Sequence, residues 1–154
     1  MHMPVKVDYA VRALVDISLY ESKGRFVRSS DTAKRASIPK AYLAQVLHSL
    51  RKAGFVASTR GPNGGHALAM DAGSIRLSQI MALLDTSDNL VQCLGDSQTC
   101  CQLPNCAQQY VWKNVEQAVY GVLDAVTIGD LAVQTLSMQP DVTTIYTSRD
   151  VAAV

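Results

Sequence analysis

A chain of 154 residues that is 48% hydrophobic can fill the core of one or two small domains. It has no window of eighteen consecutive apolar residues and no Lys/Arg-flanked apolar leader with a cleavage site, so the expectation is a soluble cytoplasmic protein. The net charge of +1 hides an asymmetry: residues 1–70 carry eleven Lys/Arg against four Asp/Glu and suit a polyanion, while residues 71–154 carry three against nine and do not.

In residues 6–21, Val7, Ala10, Val11, Leu14 and Ile17 recur at spacings of three and four, one face of a helix that Gly24 ends. A short second helix is predicted over about 30–36, with Ser29 or Ser30 as its cap. Ser37 then precedes IPKAYLAQVLHSLRKAG, where Leu43, Val46, Leu47 and Leu50 share a face and Pro39 fits the first turn. Gly54, after Arg51 and Lys52, stops this helix. The period then shortens. FVAST (55–59) and HALAM (66–70) pair as a hairpin across RGPNGG, where Pro62, Asn63, Gly64 and Gly65 suit a tight reversal with positive φ at Gly or Asn.

Three helices and a hairpin within seventy residues make a winged helix-turn-helix. Residues 75–85 add an apolar-faced helix. Residues 107–126 form a long one, in which Val111, Val115, Val119, Val122 and Val126 recur with Trp112 and Leu123. That helix has no partner of its own in the sequence, which predicts a homodimer formed through it. The expected fold is mainly α: a winged helix-turn-helix with a β-hairpin wing, plus a long C-terminal dimerisation helix. Its expected division is a DNA-binding domain over 1–85, a cysteine-rich loop over 86–106, the dimerisation helix and its end over 107–131, and a mobile tail over 132–154.

The second helix of a helix-turn-helix enters the major groove by its N-terminal end. The residues there are Ser37, Pro39, Lys40, Tyr42 and Gln45. Lys40 suits a phosphate or guanine, Gln45 has the donor–acceptor pair that adenine requires, and Ser37 or Tyr42 fixes the backbone or packs. Arg51 and Lys52 are phosphate contacts or solvated helix-end charges. Arg60, at the base of the glycine-rich wing tip, is the stronger candidate and can reach a narrow minor groove or its flanking phosphates. Gly64 and Gly65 act there as backbone devices, His66 is structural, and Lys34 and Arg35 flank the DNA backbone.

Residues 93–106 read CLGDSQTCCQLPNC and contain all four cysteines. Disulfides are disfavoured in a reducing cytosol. Zinc prefers two close pairs of ligands, which Cys93 and the adjacent Cys100 and Cys101 do not make. An iron–sulfur cluster tolerates such a loop, and redox-active thiols are the other reading. Spacing alone does not choose the ligands.

Together, DYAVRALVDIS, YLAQVLHSLRKAGFV, RGPNGGHALA, IRLSQIMALL, the cysteine loop, CAQQYVW and TIGDL over residues 4–131 resemble one family. It is the family of small bacterial winged-helix repressors that includes the iron–sulfur regulators IscR, NsrR and RirA, whose wing reads RGPGGGY. The resemblance implies a homodimer on an imperfect palindrome in double-stranded DNA, with Arg60 in the minor groove. Ala44 stands where the cluster-assembly regulator has glutamate, so the resemblance does not carry over that regulator's operator preference. The resemblance also implies three cysteine ligands: five residues separate Cys100 from Cys106 and Trp112 lies six beyond, which gives Cys93, Cys100 and Cys106 and leaves Cys101 spare. The histidine that completes a two-iron site in the cluster-assembly regulator is replaced here by Gln109. The nitric-oxide-sensing branch uses an aspartate of the first helix, matched by Asp8, whose plain alternative is a carboxylate favourable to the helix dipole. A 4Fe–4S cluster is therefore favoured, with 2Fe–2S as the alternative.

The function expected is an iron–sulfur repressor sensing nitric oxide, iron supply or redox state. The runner-up is a cluster-free, thiol-based redox regulator of the same fold. A degenerate interaction module conflicts with the basic front half. An enzyme is least expected, because no nucleophile–base pair is visible and only His2, His48 and His66 are available.

Overall fold

A computed structural model of the chain describes residues 3–21, 26–85 and 106–138. The elements run α1 (Val5–Tyr20), α2 (Ser29–Arg35), α3 (Lys40–Lys52), β1 (Val56–Thr59), β2 (Gly65–Leu68), a 3-10 turn (Ala72–Ser74), α4 (Leu77–Leu84), α5 (Ala107–Ala125) and α6 (Ile128–Met138). This is the winged helix-turn-helix with a long C-terminal helix that the periodicities imply. No helix among the described residues is long and apolar enough to cross a membrane.

The core forms around α1, which packs against α2, α3, α4 and α6. Ala10, Ala13, Leu14 and Ile17 are fully buried on its inner stripe, and the two alanines let neighbouring helices approach closely. Opposite them lie Leu43, Val46, Leu47 and Leu50 of α3, with Ile75, Ile80 and Ile128 completing the cluster. Each such aliphatic side chain contributes roughly 1.5–3 kcal/mol when fully buried, so this stripe largely sets the fold.

Between α2 and α3 the chain reverses through a Schellman motif. Ile38 N–H donates to Ala33 O at 3.0 Å and Ser37 N–H to Lys34 O at 3.4 Å, while Ser37 takes φ +54°. The end of α3 repeats the device with Phe55 N–H to Leu50 O at 3.0 Å, Gly54 N–H to Arg51 O at 3.1 Å, and φ +84° at Gly54. One motif uses glycine at the left-handed position. The other accepts serine there.

Several local expectations are corrected. Ser29 and Ser30 do not cap α2, whose N-cap is Arg28, because Ser29 Oγ is engaged by His66 and Ser30 Oγ by Asp31. Pro39 is the N-cap of α3 rather than a first-turn residue, and its carbonyl accepts from Leu43 N–H at 3.0 Å. In the wing the positive φ falls on Gly61 at +116°. Gly64 and Gly65 are needed instead for closeness: a Cβ on Gly64 would strike the Thr59 carbonyl, and one on Gly65 the Val27 carbonyl.

Past α5, a helix that the periodicity reading does not anticipate runs to Met138, so the expected boundary at 131 falls inside α6. Ile128 and Ala132 are buried, and Thr127 and Asp130 close the helix start reciprocally: Thr127 N–H donates to Asp130 Oδ2 at 2.9 Å and Asp130 N–H to Thr127 Oγ1 at 3.1 Å. The Thr127 hydroxyl, which donates to Asp130 Oδ2 at 2.7 Å, and then the Thr127 N–H hold the pKa of the Asp130 carboxyl below its ordinary value. The expected tail from 139 onward lies outside the described residues.

Candidate nucleic-acid interface and cysteine site

The core stripe of α3 leaves its opposite face to solvent, and Lys40, Tyr42, Ala44, Gln45, His48 and Arg51 all lie exposed on it. Tyr42 is braced rather than free, its ring 5.9 Å from that of Tyr9 on α1 and inclined by 61°. Ser37, in the strained turn just before the helix, is exposed as well.

A cleft runs between α3, the start of α2 and the wing, lined by Ser29, Ser30, Lys40, His48, Arg51, Ser58 and His66 among others. It continues into a groove that Arg28, Arg60, Thr59 and Gly64 also line, and the lining of the two contains no carboxylate. Arg28 Nη2 reaches the Pro62 carbonyl at 3.3 Å and so steadies the wing tip. The structure thus brings Lys40, Arg51, Arg60 and Gly64 to one cationic surface, with Gln45 and Tyr42 on the same helix. Sequence reading missed Arg28, Ser58 and His66 as members of it. Burial first, and Arg51 second, hold the His66 imidazole below its usual pKa of 6.5.

Arg35, expected beside the DNA backbone, is engaged within the fold. Its Nε and Nη2 grip Asp16 at 2.7 and 2.9 Å and its guanidinium lies 3.9 Å from the centre of the Tyr20 ring, fixing α2 to α1. The hydrogen bond to Asp16 raises the Arg35 pKa further above its usual value.

Of the proposed cluster ligands, Cys93 and Cys100 lie outside the described residues, as does the spare Cys101. Cys106 is a half-buried free thiol at the N-cap of α5. Asp8 is in the first turn of α1, where Arg12 holds both its oxygens, Nε to Oδ1 at 3.1 Å and Nη2 to Oδ2 at 2.8 Å. Among the described residues no three His, Cys, Asp or Glu side chains gather into a metal site. The donor chemistry fits an iron–sulfur cluster nonetheless. Three thiols can supply thiolate, and each Asp8 oxygen, accepting one hydrogen bond from Arg12, keeps a further lone pair.

The two ends of α5 differ. At its start is Cys106; at its end Asp124 accepts from Arg76 Nη1 at 2.6 Å and from Ser78 Oγ at 2.7 Å, which anchors it to the start of α4. Ser78, ahead of Arg76, holds the Asp124 carboxyl below its ordinary value. Between these ends α5 buries none of its residues within one chain, and Tyr110, Val111 and Val122 are 72%, 53% and 67% exposed.

A winged helix-turn-helix whose recognition helix and wing share a carboxylate-free, arginine-lined groove defines a DNA-binding regulator. The model of the Rrf2 family, described as iron-dependent transcriptional regulators, matches residues 3–134, and the chain belongs to that family. It is 34% identical over 131 residues to the HTH-type transcriptional regulator IscR of Klebsiella pneumoniae, which covers 85% of this chain and 79% of that protein. Among solved structures, T. potens IscR is 25% identical with a TM-score of 0.73 and coverage of 95% and 97%. CymR, the global cysteine regulator of B. subtilis, is 25% identical with a TM-score of 0.73 and coverage of 87% and 98%. The oxidised form of Staphylococcus aureus CymR is 26% identical with a TM-score of 0.69 and coverage of 86% and 96%. The chain is a transcriptional regulator of the IscR/CymR type, and members of its family are transcription factors rather than enzymes.

Proposed function

We propose that the protein is a homodimeric repressor whose grip on operator DNA is set by an iron–sulfur cluster. Cys93, Cys100 and Cys106 would hold the cluster, with Asp8 of the partner subunit as fourth ligand. The observation that carries this reading is the position of Cys106 at the N-cap of α5, the helix with no buried residue of its own. Residues 86–105, which contain Cys93 and Cys100, join the end of α4 to that point. Anchoring the loop would therefore fix the start of the dimer helix, while Arg76, Ser78 and Asp124 already fix its end.

The exposed Tyr110, Val111, Trp112 and Val122 supply the apolar face for a second copy. A dimer of this kind presents two α3 helices to successive major grooves, about 34 Å apart on an imperfect palindrome, with Arg60 of each wing in the flanking minor groove. Ser37, Pro39, Lys40, Tyr42, Gln45 and Arg51 are the proposed contacts of α3 and its preceding turn, with Gly64 letting the wing lie close. When bound, the cluster supplies irons open to attack by nitric oxide, to oxidation or to loss. The Asp8 carboxylate and the amide of Gln109, a poor iron ligand, favour four irons over two.

Elemental and native mass analysis of protein isolated without oxygen tests this reading. It requires iron and labile sulfide on a dimer, and operator affinity that differs between the loaded and empty forms at one salt concentration. The likeness to CymR in its oxidised form favours a second reading, in which the thiols respond to oxidants without a cluster. Iron-free protein whose DNA affinity changes on oxidation would select it.

A further inference from the structure

His66 fastens the wing to the rest of the DNA-binding unit. Its backbone exchanges both hydrogen bonds with Val27, each at 2.8 Å. Its ring Nδ1 lies 2.8 Å from Oγ of Ser58, its cross-strand partner on β1, and Nε2 lies 2.9 Å from Oγ of Ser29, the first residue of α2. A single imidazole thus joins the wing to the helical hairpin that carries α3. It stands where the RGPGGGY pattern ends in tyrosine.

We propose that His66 is the positioning residue of the wing and that duplex binding is coupled to uptake of a proton at its imidazole. The proposal rests on the reading of this groove as the DNA surface. A neutral ring donates at one nitrogen and accepts at the other, so one of the two serines must give its hydroxyl hydrogen to the ring. A charged ring donates at both nitrogens. Ser29 and Ser58 then both accept, and the hydroxyl hydrogen that the neutral ring had engaged is freed, so that both hydroxyls can donate a hydrogen bond to a phosphate oxygen in the groove. The proton comes from solvent, and the one new bond is the second ring N–H.

The surroundings set the direction. Arg28 precedes α2, Lys40, His48 and Arg51 lie on α3, and Arg60 is on the wing, all lining the cleft and groove that His66 also lines. The nearby acids have other partners: Glu21 of α1 accepts from Leu68 N–H at 2.7 Å, and Asp31 of α2 accepts from Ser30 Oγ at 3.3 Å. In the free protein burial and Arg51 therefore favour the neutral ring. Phosphates lying along Arg28, Arg51 and Arg60 neutralise that field and favour the charged ring.

The test is titration calorimetry near pH 6.5 in two buffers of different ionisation enthalpy. The probe is a duplex enriched from a random-sequence pool by the wild-type protein. Net uptake of up to about one proton per subunit is expected, with Kd tightening about three- to tenfold between roughly pH 7.5 and pH 6. His66→Gln and His66→Tyr, the second keeping the residue of the related wing pattern, should abolish the uptake and flatten the pH slope. Unchanged uptake in folded His66 variants, or normal wild-type binding without uptake, overturns the proposal. Absence of any duplex binding by the wild type overturns both it and the DNA reading beneath it.

Discussion

Arg35 and Asp16 form a two-pronged ion pair, with Nε and Nη2 at 2.7 and 2.9 Å from the two carboxylate oxygens, and it is the polar joint between α2 and α1. Asp16 is 6% exposed and Arg35 a third exposed, so the pair sits at the edge of the core. Removing one partner leaves the other poorly solvated. Asp16→Ala is therefore expected to destabilise the fold by about 2–3 kcal/mol, less than for a fully buried pair because water still reaches Arg35. Arg35→Lys should lose a good part of the same energy, since an ammonium cannot reproduce the fork or the stacking on Tyr20. Urea unfolding measures both.

The two Schellman motifs predict opposite responses to glycine. Ser37 occupies a left-handed conformation that an L-residue adopts at a cost, so Ser37→Gly should stabilise the free protein by up to about 1 kcal/mol. Gly54→Ala should destabilise it by about 1 kcal/mol or more, although the space beside Gly54 is open, because the backbone conformation rather than a clash is at fault. Thermal melts of the two variants give the signs directly.

The wing depends on closeness. In Gly65→Ala the new methyl group would meet the Val27 carbonyl, so β2 must move off the segment before α2. We expect folded protein whose duplex affinity falls about tenfold or more while α1–α3 packing persists. Binding assays and amide exchange of the wing check this together.

The salt dependence of binding separates groups that neutralise phosphates from those that read bases. Replacing Arg51 or Arg60 by Gln should weaken binding to every duplex sequence and reduce the slope of log K against log salt by about one for each phosphate left without its cation. Gln45→Ala should instead change which duplexes are preferred and leave the slope alone.

Acid should destabilise the DNA-free protein partly through His66. Its folded pKa lies below the unfolded value of 6.5, so the neutral ring's contribution is complete above about pH 6.5 and is lost as pH falls through the folded value. Stability measured down from pH 7.5 should therefore fall less steeply in His66→Gln than in the wild type. The sign is opposite to that expected for duplex affinity, because the ring charges more readily on DNA than off it.

The stripes on α1 and α3 are legible from spacing alone, because Val7, Ala10, Leu14 and Ile17, like Leu43, Val46, Leu47 and Leu50, lie three or four apart on helices packed against one core. The start of α6 could have been read too: Thr127 and Asp130 have the spacing of a reciprocal cap, but only Ile128 and Ala132 of the helix are buried, too few to show a period. The role of His66 was hidden by register: pairing FVAST with HALAM end to end sets Thr59 opposite it, and only the observed pairing of Thr59 with Gly65 brings Ser58 there. Its second partner, Ser29, lies thirty-seven residues away and is brought near only by the tertiary fold. Arg35 shows the same limit: a cation in a basic region suggests a phosphate, and only packing reveals a carboxylate already in its grip.

Metal and sulfide content decides what the cysteine loop holds. Protein kept free of oxygen from cell lysis to native mass spectrometry should be a dimer carrying iron and acid-labile sulfide on each chain, and Cys106→Ala should lose both. A dimer that contains neither, and that cannot be loaded with ferrous iron and sulfide, would rule out a cluster and leave a DNA-binding regulator governed by its thiols.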